Sequence, residues 1–297
     1  MTYPPTVKIV EVGPRDGLQN EKISLDTATR VQLINHLAAA GLSYIEAGSF
    51  VSPKWVPQMA GSDQVFEQLP KGTATTYAAL TPNMQGLERA LHCGVQEVAV
   101  FAAASESFSQ KNINCSIAES IDRFKPVATE ALNAGLTVRG YISCVVGCPY
   151  QGAVEAEPVA QVAEQLLAMG CYEVSLGDTI GVGTPASIEK LLYRLLADIA
   201  PDKLAIHAHD TYGQALANIL IALQLGISTV DSSVAALGGC PYAKGASGNV
   251  ATEDLIYMLN GLGIEHGVDL SKLIAAGNFI SQKLNRANGS KVGIALQ

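Results

Sequence analysis

Long apolar runs are missing from this chain of 297 residues. None approaches the roughly 20 consecutive apolar residues that cross a bilayer, so no membrane partner is expected. A positive surplus is missing too. Nineteen Lys and Arg against 27 Asp and Glu give a formal net charge of −8, which argues against nucleic acid as a partner, because a phosphate backbone needs a basic face. A small anionic ligand stays compatible, held by a few cations placed locally. The amino terminus, Met1-Thr2-Tyr3-Pro4-Pro5-Thr6, has neither the basic nor the apolar region of an export signal, so a cytoplasmic location is expected. The six cysteines lack the paired CxxC spacing of a zinc site. The nearest pair, Cys144 and Cys148, reads like the rest as buried or loop thiols, not disulfides.

What is present is a repeated alternation of two patterns. Eight short apolar stretches, rich in β-branched residues, occupy 7–12, 44–47, 74–80, 97–103, 137–144, 172–176, 203–207 and 229–236. Continuous apolar runs of this length suit strands buried on both faces. Amphipathic segments lie between them, for example 25–40, 159–169 and 188–199, and Gly41, Gly94, Gly135, Gly170 and Gly226 stand where helix C-caps belong. Eight strand–helix units predict an α/β fold, a (β/α)₈ TIM barrel, in one catalytic domain of residues 1–297. The barrel is expected over about 6–250, with a helical extension at about 252–297 covering part of it.

In such a barrel the chemistry sits at the carboxyl ends of the strands. The seventh stretch ends in Ile206-His207-Ala208-His209-Asp210, and residues two apart on a strand share a face, so both imidazoles aim at one spot. Imidazole nitrogens suit a divalent metal and need further ligands. Asp16, after the first strand, and the amide oxygen of Asn249, in a Gly-rich loop after the eighth, are the best complements. Arg15 cannot give up its proton, so it reads as an electrophilic clamp on a carbonyl or enolate oxygen, or as one half of an ion pair with Glu46 or Asp178. Glu11 and Glu46 read as supporting carboxylates at the barrel mouth, and Gln19 falls near the same end. Cys240, in the loop Gly238-Gly239-Cys240-Pro241, reads from spacing alone as a chance loop cysteine, with proton transfer as the sharper alternative. That loop lacks the spacing of a phosphate-binding P-loop. In 105–116, Lys111, Asn112 and Ser116 could embrace a polar, phosphorylated ligand tail, but a solvated loop ending in an N-cap at Ser116 is the better reading of the residues.

Two stretches resemble the 3-hydroxy-3-methylglutaryl-CoA lyase family: Glu11-Val12-Gly13-Pro14-Arg15-Asp16-Gly17-Leu18-Gln19-Asn20-Glu21, and the run from Gly238 through Cys240 and Asn249 to Asp254. Matching segments at 111–116, 141–150, 175–184 and 207–218 extend the likeness over nearly the whole chain. The resemblance implies Mg²⁺ or Mn²⁺ held by Asp16, His207, His209 and Asn249. It also implies that Arg15 stabilises a thioester enolate, that Cys240 lies on a loop over the substrate, and that His207 doubles as acid or base. Glu46 and Asp178 match supporting polar positions, and the implied partner is an acyl-CoA, with a homodimer expected. Ala47-Gly48 and Gln151 depart from the family pattern, and Ala47-Gly48 is where extra pocket room is expected. The implied reaction is cleavage of 3-hydroxy-3-methylglutaryl-CoA to acetyl-CoA and acetoacetate. The rivals are a lyase for a longer-branched analogue such as the isohexenyl compound, a Claisen-type synthase, and an inactive metal-binding scaffold.

Overall fold

The computed structural model describes residues 3–239 and 248–297. In chain order its strands are β1 (Lys8–Glu11), β2 (Tyr44–Ser49), β3 (Thr76–Leu80), β4 (Glu97–Ala103), β5 (Thr137–Ser143), the short antiparallel pair β6 (Gly147–Cys148) and β7 (Gly152–Ala153), β8 (Val174–Asp178), β9 (Leu204–Ala208) and β10 (Thr229–Ser232). The helices are α1 (Thr27–Ala39), α2 (Ser62–Gln68), α3 (Met84–His92), α4 (Glu106–Ile113), α5 (Ile117–Asn133), α6 (Ala156–Ala168), α7 (Pro185–Leu195), α8 (Ala215–Gln224), α9 (Thr252–Leu262), α10 (Leu270–Lys283) and α11 (Lys291–Ala295). Eight parallel strands close into a barrel in the order β1-β10-β9-β8-β5-β4-β3-β2, as the sequence predicts. Among the described residues no helix is long and apolar enough to cross a membrane.

Local chemistry explains where the elements begin and end. Asp26 caps α1 by accepting from the Thr29 amide, and Ser116 with Glu119 makes a reciprocal capping box on α5. All five predicted C-cap glycines have positive φ. Gly41 is the strictest of them: at φ +97° an added Cβ would lie 2.3 Å from the Gly267 carbonyl oxygen. The helices cover the sheet with Leu33, Ile34 and Leu37 of α1, Val127 and Ala131 of α5, and Leu191, Leu192 and Leu195 of α7, all buried. Each fully buried Leu or Ile contributes roughly 1.5–3 kcal/mol relative to exposure.

Inside the barrel, alternation along β5 turns Arg139 and Tyr141 inward, while Gly140 faces Leu166 of α6 and Cys171. The interior therefore carries a polar layer rather than a purely aliphatic one. Arg139 pairs with Glu173 and Asp231, and its guanidinium carbon lies 4.9 Å from the Tyr141 ring centre.

Two boundaries differ from expectation. The last strand stops at Ser232, because Ala235 and Ala236 turn into the left-handed region with φ of 54° and 49°. Carboxylates hold that turn: Glu11 accepts from the Val234 amide and Glu253 from the Ala235 amide. The helical segment from 252 also divides. Helix α9 runs back to Glu265, whose backbone bridges to Thr6 beside β1, so it is the return helix of the eighth unit. Helices α10 and α11 follow it, α10 lying against α1 and α9.

Candidate active site at the carboxyl end of the barrel

The turn Gly13–Gly17 after β1 places Arg15 and Asp16 side by side. Glycine is required there by close approach, since a Cβ on Gly17 would lie 2.7 Å from the Leu237 Cβ and 2.8 Å from the Ser233 hydroxyl. Arg15 is buried and doubly paired, donating through Nε to Glu46 Oε2 at 2.7 Å and through Nη1 to Asp16 Oδ1 at 2.8 Å. Of the two ion-pair partners expected for Arg15, the structure supplies Glu46. Asp178 instead accepts from the Val182 and Gly183 amides and holds the loop after β8.

Across the barrel mouth, β9 delivers His207 and His209. Ligand atoms of Asp16, His207 and His209 lie within 4.8 Å of one another. The His209 backbone bridges to Asn249, whose Nδ2 donates to Asp16 Oδ2 at 2.9 Å and to the Leu237 carbonyl at 3.2 Å. Two buried atoms beside this group have no hydrogen-bond partner among the described residues: His209 Nδ1 and Asn249 Oδ1. An orphaned buried acceptor costs about 1–3 kcal/mol. A cation bound here would give such atoms a partner, and two nitrogens with two hard oxygens form a donor set that divalent metals accept. The residues present thus fit a metal.

The electrostatics agree. Burial by itself would raise the Asp16 carboxyl, but Arg15, His207 and His209 outweigh it and hold it at about 2. Burial, reinforced by His207, pushes His209 down to about 4, so it stays neutral and able to ligate at neutral pH. Burial also lowers His207, yet its hydrogen bond to Asp231 and that carboxylate's charge carry it above the ordinary value. Burial raises Asp178 to about 6 against the pull of its amide bonds.

The remaining predicted residues fall as follows. Glu11 faces backbone, accepting from Gly13 and Val234 amides and the Thr252 hydroxyl, and burial raises it to about 7. Gln19 lies half-buried just past the Arg15 turn. Lys111 and Asn112 are exposed on α4, and Ser116 is engaged in capping α5. Cys240 lies outside the described residues. Ala47 and Gly48 do not open onto the cluster. Ala47 belongs to the main hydrophobic core, and a Cβ on Gly48 would meet Ser62 and Phe66 of α2 behind the strand. Extra pocket room is therefore not created at these positions. Gln151 accepts from the Ser105 hydroxyl beside Cys148.

Sequence reasoning missed Arg139, Tyr141, Ser175 and Asp231. Tyr141 lies with its ring centre 5.6 Å from the Arg15 guanidinium carbon, its hydroxyl buried and without a partner among the described residues. Spacing held a clue, since Arg139 and Tyr141 stand two apart on one strand, as His207 and His209 do.

The chain is similar to known proteins along nearly its whole length. The family described as HMGL-like matches residues 6–280. A mitochondrial hydroxymethylglutaryl-CoA lyase of Rattus norvegicus is 60% identical over 294 residues, 99% of this chain and 90% of that protein. A 3-hydroxy-3-isohexenylglutaryl-CoA/hydroxymethylglutaryl-CoA lyase of Pseudomonas aeruginosa is 59% identical over 296 residues, covering 100% and 99%. A crystal structure of hydroxymethylglutaryl-CoA lyase from Pseudomonas aeruginosa superposes with a TM-score of 0.98 at 59% identity, covering 100% of this chain and 99% of that one.

Proposed function

The chain belongs to the hydroxymethylglutaryl-CoA lyase family, and we propose that Arg15, Asp16, His207, His209 and Asn249 form the centre of its reaction. It is a carbon–carbon lyase that cleaves 3-hydroxy-3-methylglutaryl-CoA to acetyl-CoA and acetoacetate. The observation that carries the assignment of residues is the doubly paired Arg15 beside the three-ligand group of Asp16, His207 and His209.

Asp16, His207, His209 and the Asn249 amide oxygen would hold a divalent cation, Mg²⁺ or Mn²⁺, which would polarise the substrate oxygens and lower the pKa of the tertiary hydroxyl. The chain's own groups do the rest. A base takes the hydroxyl proton. The oxygen's electron pair forms the new ketone of acetoacetate as the C2–C3 bond breaks, and that bond's electrons pass to the thioester as an enolate. Arg15 holds the enolate oxygen through the N–H groups that Glu46 and Asp16 leave free, its fork already oriented before charge develops. The Tyr141 hydroxyl beside it offers one further donor. Protonation of the enolate carbon, with Cys240 as the candidate acid, completes acetyl-CoA. Glu46 and Asp178 support the site without meeting substrate.

The test is acetoacetate release from 3-hydroxy-3-methylglutaryl-CoA, before and after treatment with EDTA. Turnover should vanish with the metal and return with Mg²⁺ or Mn²⁺; undiminished turnover after complete metal removal would sink the ligand assignment. The same assay with the isohexenyl analogue measures acyl breadth, a second reading that the name of the Pseudomonas relative favours.

A further inference from the structure

Asp231 is the point where the buried polar layer of the barrel meets the candidate metal ligands. It lies on β10, paired in register with His207 of β9. Its Oδ2 stands 3.2 Å from His207 Nδ1 and accepts from the Ser175 hydroxyl at 2.7 Å. Arg139 donates to both of its oxygens, through Nη2 to Oδ1 at 2.7 Å and through Nη1 to Oδ2 at 3.2 Å. Arg139 is itself anchored by Glu173, which also takes the Lys8 ammonium and the Thr229 hydroxyl. The chain of contacts thus runs from Lys8 through Glu173 and Arg139 to Asp231 and ends on one imidazole nitrogen.

The chemistry of that last contact has one consistent form. A carboxylate bonded by a guanidinium and a hydroxyl can only accept, so a neutral His207 must place its single proton on Nδ1. That leaves the Nε2 lone pair as the one available to a cation. Among the described residues, Asp231 is the hydrogen-bond partner of the His207 ring. We propose that Asp231 is a positioning residue that locks His207 in the Nδ1–H form, with Arg139 and Ser175 fixing Asp231 in turn, so that Nε2 is presented as a ligand. The proposal rests on reading His207 as a metal ligand, and the tautomer itself can be measured independently of that reading.

The experiment uses the full chain with ¹⁵N-labelled histidine. The His207 signals are identified by their loss in His207→Gln, and spectra are taken at alkaline pH, where imidazoles are neutral. In the metal-free wild type, His207 should show a protonated Nδ1 and an unprotonated Nε2. Asp231→Asn is nearly isosteric, yet its amide can donate to Nδ1 and so drive the proton to Nε2, blocking the ligand atom. The variant should show the reversed tautomer, and direct Mn²⁺ titration followed by electron paramagnetic resonance should give an affinity about 10–100-fold weaker. Ser175→Ala, a milder change that removes one hydrogen bond to Oδ2, should weaken Mn²⁺ binding in the same direction by a smaller factor.

A wild-type His207 carrying its proton on Nε2 overturns the proposal whether or not any variant folds. So does an Asp231→Asn protein that folds with an unchanged tautomer or an Mn²⁺ affinity within threefold of wild type. Failure of the wild type to bind Mn²⁺ at all, with the tautomer as expected, instead removes the metal-ligand reading and leaves the lock on the ring standing.

Discussion

Replacing Arg15 with methionine separates two roles that one guanidinium fills. Its Nε meets Glu46, a carboxylate with no solvent exposure, at 2.7 Å, and its Nη1 meets Asp16 at 2.8 Å. Removing one partner of a buried pair leaves an uncompensated charge and costs about 3–5 kcal/mol. At about 2.1 cal/mol/K of unfolding entropy per residue, a chain of 297 residues should lose about 5–8 °C in Tm. The strain can be relieved at its source. Burial already raises the Glu46 carboxyl against the pull of Arg15, and Glu46→Gln removes the charge that Arg15 neutralises. The double variant Arg15→Met with Glu46→Gln should therefore regain more than half of the lost Tm.

Turnover should not follow stability. If Arg15 stabilises the enolate, its loss costs at least ~10²–10³ in kcat, and no change at Glu46 restores a donor to that oxygen. The assay is acetoacetate release at saturating substrate and metal for the two single variants and the double, beside thermal unfolding of all three. Two results would refute the reasoning. An Arg15→Met enzyme that keeps more than a tenth of its turnover shows that the guanidinium holds no developing charge. A double variant that recovers turnover together with Tm shows that Arg15 serves only to neutralise Glu46.

Two other outcomes test the surroundings. Burial raises Glu253 from 4.5 to about 8, so between those pH values the folded chain keeps a proton that the unfolded chain has released. The contribution of Glu253 to stability should then fall as pH rises from about 4.5 towards 8 and level off above, while His209, lowered from 6.5 to about 4, works in the opposite direction below 6.5. The slope of Tm against pH in Glu253→Gln should differ from that of the wild type by the Glu253 contribution. Glu11, raised to about 7, contributes in the same direction, so some slope should persist; an unchanged slope in the variant contradicts the assignment. Gly48→Ala puts a Cβ 2.9 Å from the Ser62 hydroxyl and 3.3 Å from the Phe66 ring, so it should destabilise by roughly 1–3 kcal/mol. Its ratio of kcat/KM for the methyl and isohexenyl substrates should stay at the wild-type value, and a shifted ratio would return Gly48 to the pocket wall.

The sequence made legible whatever depends on spacing along one element. Eight apolar runs with glycine at the helix ends specify the barrel, and His207 and His209, two apart on one strand, specify half of a ligand set. Asp16 and Arg15 were legible because the barrel's chemistry gathers at strand ends. Asp231 was not, although it touches His207, because a single acid inside the apolar run 229–236 looks like noise until the barrel closes. Only closure brings it to Arg139, 92 residues earlier. The room expected at Gly48 from the family pattern is absent for a reason of local backbone geometry. Simple alternation from the inward-facing Glu46 turns Ala47 out and Gly48 in. The pairing of β2 with β3 instead matches Glu46 to Ala78 and Gly48 to Ala79, with the register shifting between them. A slip of one residue exchanges the two faces of a strand, so everything after such an irregularity points opposite to what the pattern predicts. Inward and outward assignments in this barrel therefore hold only up to the first register shift, and the local sequence Glu46-Ala47-Gly48-Ser49 shows no sign of one.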